Sequence, residues 1–72
     1  MKNTFPTLDL HGVKHEDVEG IVEEFICMNE GTVKIITGYS HQMKIHVNRV
    51  LKKYDMKSRP ERLVNNGSLI AY

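Results

Sequence analysis

Cysteine is nearly missing from this 72-residue chain, and long apolar runs are missing altogether. The single cysteine, Cys27, has no partner within the chain, so no internal disulfide is expected and a reducing compartment fits. One thiol is also too few for a cysteine-rich structural zinc site. No stretch reaches the ~18 consecutive apolar residues of a membrane span, and no signal-peptide pattern opens the chain. A cytoplasmic protein with no membrane partner is the expectation. Internal repeats and low-complexity segments are absent too, and the length predicts one small domain over residues 1–72. A domain of this size buries only about 60–65% of its unfolded surface, so a thin core is expected.

What is present is unevenly distributed. Residues 1–31 carry two lysines against seven carboxylates, net −5; residues 32–72 carry eight cations against two carboxylates, net +6. The second half could therefore offer a basic surface to phosphates. Alternatively, the acidic and basic segments are simply solvated, or neutralise each other.

Periodicity orders the elements. Thr7–His11 reads as a first strand, entered through Pro6, which suits a strand start. Val18, Ile21, Val22, Phe25 and Ile26 form one apolar stripe on a helix over about residues 15–29. Glu16 and Asp17 lie in its first turn, where negative charge is favoured, and Gly31 is a natural stop. Thr32–Thr37, rich in β-branched residues, is the second strand. Met43, Val47, Val50, Leu51 and Tyr54 mark a second helix over about 41–54. Ser40 is its N-cap, and Lys52 and Lys53 lie in its last turn. Ile45 falls opposite the stripe and should be exposed. Arg59–Asn65 and Ser68–Tyr72 read as two strands joined by a tight Asn66-Gly67 turn. Right-handed crossovers then put both helices on one face of the sheet. The predicted fold is an α/β two-layer sandwich, β-α-β-α-β-β, with a mixed four-stranded sheet.

The richest stretch is Leu8-Asp9-Leu10-His11-Gly12. Strand alternation turns Leu8 and Leu10 to one face and Asp9 and His11 to the other, about 6.5–7 Å apart along the strand. A carboxylate beside an imidazole can hold, deliver or accept a proton near neutral pH. Gly12 frees the chain to turn. A second glycine turn, Thr37-Gly38-Tyr39-Ser40, closes the second strand. Its amides and the helix start behind it make a generic anion site, and Ser40 could cap that helix or hold phosphate. His41 could reach a phosphate and Tyr39 could stack on a base. Lys44, with Arg49, Lys52 and Lys53, and Arg62 on the third strand, could position a nucleic-acid backbone. Plainer readings stand beside these. His11 could be a strand-end histidine held by a carbonyl, Asp9 a turn cap, Ser40 an N-cap alone, and His41 a solvated residue. His15 and His46 are assigned to the surface. No spacing among the four histidines marks a metal site. Cys27 is not placed to act as a nucleophile.

Leu-Asp-Leu-His-Gly followed by an apolar strand ending in Thr-Gly-x-Gly resembles the Smr (small MutS-related) domain family. The likeness spans nearly the whole chain, at about the family's minimal length, with Ser40 standing where the second glycine of Thr-Gly-x-Gly would be. A left-handed residue there would cost a serine on the order of 1 kcal/mol. The resemblance implies a fold similar to the C-terminal domain of translation initiation factor 3. It also implies a DNA- or RNA-binding domain with endonuclease (hydrolase) activity, nicking DNA or cleaving RNA, in some members within ribosome-rescue or repair proteins. Matched position by position, Asp9 and His11 carry the first motif, and Thr37 and Gly38 the second, with Tyr39 variable. In that reading His11 is the general acid or base, and Asp9 orients it or binds a metal. Gly12, Thr37, Gly38, Tyr39, Ser40, His41, Lys44 and Arg62 contact the nucleic acid. No structural metal is expected. A divalent ion such as Mg²⁺ is the one cofactor this chemistry would admit, although two-metal cleavage needs more carboxylates than Asp9 alone. RNA is the easier substrate, because its 2′-hydroxyl can attack when a base removes its proton. The alternatives are a non-catalytic nucleic-acid- or ribosome-binding module, or a protein-interaction module. Oligomeric state is left open.

Overall fold

The segment Val33–Ile36, three of whose four residues are β-branched, lies inside the sheet, flanked on both sides. In the computed structural model, which describes residues 5–61 and 67–72, the elements are β1 (Thr7–Asp9), α1 (His15–Met28), β2 (Val33–Ile36), α2 (His41–Lys53), β3 (Ser58–Pro60) and β4 (Ser68–Ala71). The sheet order is β1-β2-β4-β3. β1 runs parallel to β2, while β4 is antiparallel to both β2 and β3. This is the expected β-α-β-α-β-β two-layer sandwich. The two helices pack on each other across one face of the sheet. Among the described residues no helix is long and apolar enough to cross a membrane.

Alternation decides which side chains enter the core. Leu10, Val33, Ile35, Leu69 and Ala71 face the helices and meet Val18 and Val22 of α1 and Met43, Val47, Val50 and Leu51 of α2. Leu8 packs against the same cluster, so its neighbours Thr7 and Asp9 fall on the other face, as expected. Ile70 is buried on that second face, in register with Lys34 and Arg59. Ile45 is exposed, again as expected.

The helix ends follow local chemistry. Ser40 caps α2, its Oγ accepting the Met43 N–H at 3.1 Å. Lys14 precedes α1 with no side-chain cap. α1 stops at Met28, three residues before Gly31; the Asn29 side chain donates to the Phe25 carbonyl, and Gly31 serves the next turn with φ +87°.

The hairpin differs from expectation. A two-residue Asn66-Gly67 turn would pair Asn65 with Ser68, but the ladder pairs Pro60 with Leu69, and the Glu61 N–H donates to the Ser68 carbonyl. β3 therefore starts and ends earlier than Arg59–Asn65. The end of α2 explains this. Asp55 takes the left-handed conformation, φ +58°, directly after the C-cap Tyr54. Met56 then donates to the Leu51 carbonyl at 2.8 Å and Asp55 to that of Lys52 at 3.1 Å. Those two bonds form a Schellman motif. It turns the chain at once, so Lys57 already exchanges both backbone bonds with Tyr72. The register is set from this helix end and not from the Asn-Gly pair. Residues 62–66, among them Asn66 and the candidate Arg62, lie outside the described residues.

Candidate functional site

The first glycine turn is built on the Asp9 carboxylate. Its Oδ1 accepts the backbone N–H of His11 at 2.9 Å, and the Val13 N–H closes a four-residue turn on the Leu10 carbonyl at 3.1 Å. His11 is the second residue of that turn and Gly12 the third, with φ +78°. A positive φ at the third position is what a type II turn demands. A Cβ on Gly12 would meet nothing within 4 Å, so backbone conformation and not crowding requires glycine there. Buried Leu10 anchors the turn from below, while Asp9, His11 and Gly12 are exposed. Asp9 thus holds the His11 backbone and not its ring.

The second turn is anchored from β4. The amides of Thr37 and Gly38 both donate to the Gly67 carbonyl, each at 2.9 Å. Two amides that the sequence offered to a phosphate are therefore already in use. Gly38 has φ +67°, and again a Cβ would meet nothing. Thr37 is buried, its hydroxyl donating to the Gly38 carbonyl. Ser40 has φ −71° and ψ 115°, ordinary extended backbone, so serine carries no strain there. Its hydroxyl is the N-cap already described. Behind it, the amides of His41 and Gln42 have no acceptor among the described residues. These are the free donors of the helix start, where anions are favoured.

Pairing of Asp9 with Ile36, and the bond from the Leu10 N–H to the Ile36 carbonyl, bring the two turns to neighbouring ends of parallel strands. Exposed His11 and His41 share that rim with Tyr39, which is 72% exposed. In open α/β sheets the carboxyl ends of parallel strands are where ligands bind. Lys44 is half-buried, one turn into α2. Among the described residues, no group of three or more His, Cys, Asp or Glu converges as a metal site would require.

Two clusters between the helices bear out the alternative in which acidic and basic segments neutralise each other, although their members were not named from the sequence. Glu19 accepts from His46 Nδ1 at 2.8 Å and from Arg49 at 2.9 Å, and the His15 ring lies 5.8 Å from that of His46. Glu23 accepts from Lys53 at 2.8 Å and from the Tyr54 hydroxyl, which also lies 3.7 Å from Cys27 Sγ. His46, expected on the surface, is partly covered, and Arg49 and Lys53 are turned to α1 instead of outward to a phosphate. The hydrogen bond from His46, followed by the Arg49 charge, holds the Glu19 carboxyl below its usual range. Lys53 and then Tyr54 do the same for Glu23, and Glu23 in turn raises both Lys53 and Tyr54. A signal was available: Glu19, Glu23 and Cys27 lie four residues apart on one helix, and His46, Arg49 and Lys53 follow a matching line on the other.

No protein-family model, no curated protein and no solved structure matches this chain.

Proposed function

We propose that this is an Smr-type nucleic-acid-binding domain that cleaves RNA at the rim formed by its two glycine turns. The observation that carries this reading is the adjacency of the Leu10–Val13 and Thr37–Ser40 turns at the ends of parallel β1 and β2, in the order and spacing of that family. His11 supplies the base. Its imidazole removes the proton of a ribose 2′-hydroxyl, the 2′-oxygen bonds to phosphorus, and the 5′-oxygen leaves with a proton taken from water. The products are a 2′,3′-cyclic phosphate and a 5′-hydroxyl end. Asp9 is a positioning residue, fixing the backbone that carries His11. The free amides of His41 and Gln42 at the start of α2, with Lys44 behind them, face the phosphate charge.

A non-catalytic binding module is the second reading. It is favoured by one observation: the Asp9 carboxylate is bonded to the His11 amide, and the ring has no orienting partner among the described residues.

The test is a cleavage assay. Wild type and His11→Ala are incubated with structured RNA, single-stranded DNA and supercoiled plasmid, with Mg²⁺ and with EDTA. Cleavage of RNA by wild type in both buffers, lost in His11→Ala, is the expected result. DNA nicking without RNA cleavage would overturn the RNA assignment. Binding by both proteins without cleavage would leave the binding module.

A further inference from the structure

Strand register sorts the cations of the basic half by layer. Ser58 of β3 lies opposite buried Ala71 and donates its hydroxyl to the Asn48 side chain of α2 at 3.3 Å, so it faces the helices. Its neighbours Lys57 and Arg59 therefore project from the other face of the sheet, about 6.8 Å apart along the strand. Both are exposed, and neither has an ion-pair partner among the described residues. Lys53, by contrast, is ion-paired to α1, and Lys52 lies on the helix layer.

Both helices pack on the opposite face, which leaves this one open among the described residues. Pairing sets Lys34, Ile70 and Arg59 side by side across its middle. Asp9, Ile36 and Ser68 form the next row, which leads to the two glycine turns. The acids of this face do not oppose the β3 cations: Glu61 is held by Lys34 at 2.8 Å, and Asp9 lies on β1, at the far edge of the sheet. At the end away from the glycine turns, Lys57 and Tyr72 exchange both backbone bonds and so stand directly opposite each other. Tyr72 is 51% exposed. With Thr32, Tyr54 and Met56 it also lines a groove of about 470 Å³ at that end of the sheet. The groove has room for a nucleobase, and its tyrosines offer a surface for stacking.

We infer that a single strand of RNA lies along this open sheet face, neighbouring phosphates held by Lys57 and Arg59 and one base stacked on Tyr72 at the mouth of the end groove. The spacing of the two cations is close to that of neighbouring phosphates on an extended strand. This rests on the nucleic-acid reading above and adds to it a binding surface apart from the cleavage rim. The row that holds Asp9 joins the two, so a strand held at β3 reaches the His11 turn at its other end. A single strand can splay a base onto an aromatic ring, whereas a paired strand keeps its bases stacked inside the duplex. Lys52 and Lys53, on the helix layer, take no part.

Fluorescence anisotropy over a salt series tests this, with labelled 2′-fluoro oligo-U, which has no 2′-hydroxyl to be attacked, and with a 2′-fluoro duplex of equal length. Lys57→Ala and Arg59→Ala should each weaken single-strand binding about three- to tenfold and lower the salt slope by about 0.7. Tyr72→Ala should weaken it about fivefold or more, and Tyr72→Phe, which keeps the ring, should bind as wild type does. Lys52→Ala and Lys53→Ala, a layer away, should stay within about twofold of wild type. Equal losses in the two pairs of cations, or tighter binding of the duplex, would overturn the sheet-face assignment while leaving nucleic-acid binding intact. No binding of either probe by wild type would overturn both readings together. Circular dichroism of each variant separates lost contacts from lost fold.

Discussion

Asp9 reaches His11 through the backbone: its Oδ1 accepts the His11 N–H at 2.9 Å, two residues along the chain. A carboxylate used in this way needs an acceptor oxygen, not a charge. Asp9→Asn should therefore keep the turn and most of any cleavage, with an unchanged pH profile. Asp9→Ala should lose the hydrogen bond, lower stability by about 0.5–1.5 kcal/mol and reduce cleavage with it. Urea titration and the rate–pH profile of the two variants check this. Loss of cleavage in Asp9→Asn, with the fold intact, would show that the charge itself takes part.

Gly12 and Gly38 are bound to their positions by φ alone, +78° and +67°, with open space where a Cβ would stand. Alanine at either site should cost about 1–2 kcal/mol through backbone strain. Gly20, in the middle of α1 with no positive φ and nothing near its missing Cβ, should behave in the opposite way. Gly20→Ala should stabilise by about 0.5–1 kcal/mol. The sign difference among three Gly→Ala variants, read by chemical denaturation, is the check.

Legibility in the sequence followed the range of the interaction that fixes each feature. The apolar stripes of α1 and α2 lie within a few turns, so their bounds came out within a residue of those observed. Ser40 as an N-cap is likewise a three-residue matter, and the alternative of a strained serine disappears with its φ of −71°. The β3–β4 register was misread because two local signals compete. Asn66-Gly67 asks for a tight turn, but the Asp55 cap starts β3 earlier, and an aspartate in the left-handed position is a weak sign where glycine is usual. The Glu19 and Glu23 clusters depend on how two helices are rotated against each other, which neither helix encodes alone. The use of the Thr37 and Gly38 amides by Gly67 depends on a contact 30 residues away in sequence, from Thr37 to Gly67.

Asp55 offers a direct test of that register argument. It holds φ +58° between Tyr54 and Met56 and closes the Schellman motif that launches β3. Glycine adopts this conformation without a Cβ penalty, so Asp55→Gly should raise stability by about 0.5–1 kcal/mol. Asp55→Val should lower it by more than that, since a β-branched side chain is excluded from the left-handed region. Amide exchange at Lys57 and Tyr72, whose backbones bond each other, should slow in the first variant and quicken in the second.

The interhelix acids predict an acid limb in the stability curve. Glu19 and Glu23 are held below the ordinary carboxylate value of 4.5 by their partners on α2. A carboxyl depressed in the folded state contributes stability that is fully present above its unfolded value. That contribution is lost as pH falls through the lower folded value. The melting temperature should therefore fall on acidification below pH 4.5, over the range in which these two groups take up protons. Glu19→Gln/Glu23→Gln should show a shallower acid limb. Both carboxylates are only half-buried and reach solvent, so about 0.5 M salt should flatten the wild-type curve towards that of the variant. The alkaline side has the opposite sign. Lys53 and Tyr54 are raised by Glu23, so their share is full below their ordinary values of 10.5 and 10.0 and is lost as pH rises through the higher folded ones. Thermal melts by circular dichroism between about pH 3 and 11 read both limbs. An acid limb of equal slope in wild type and the double variant would remove these two clusters from the account of how α1 is held to α2.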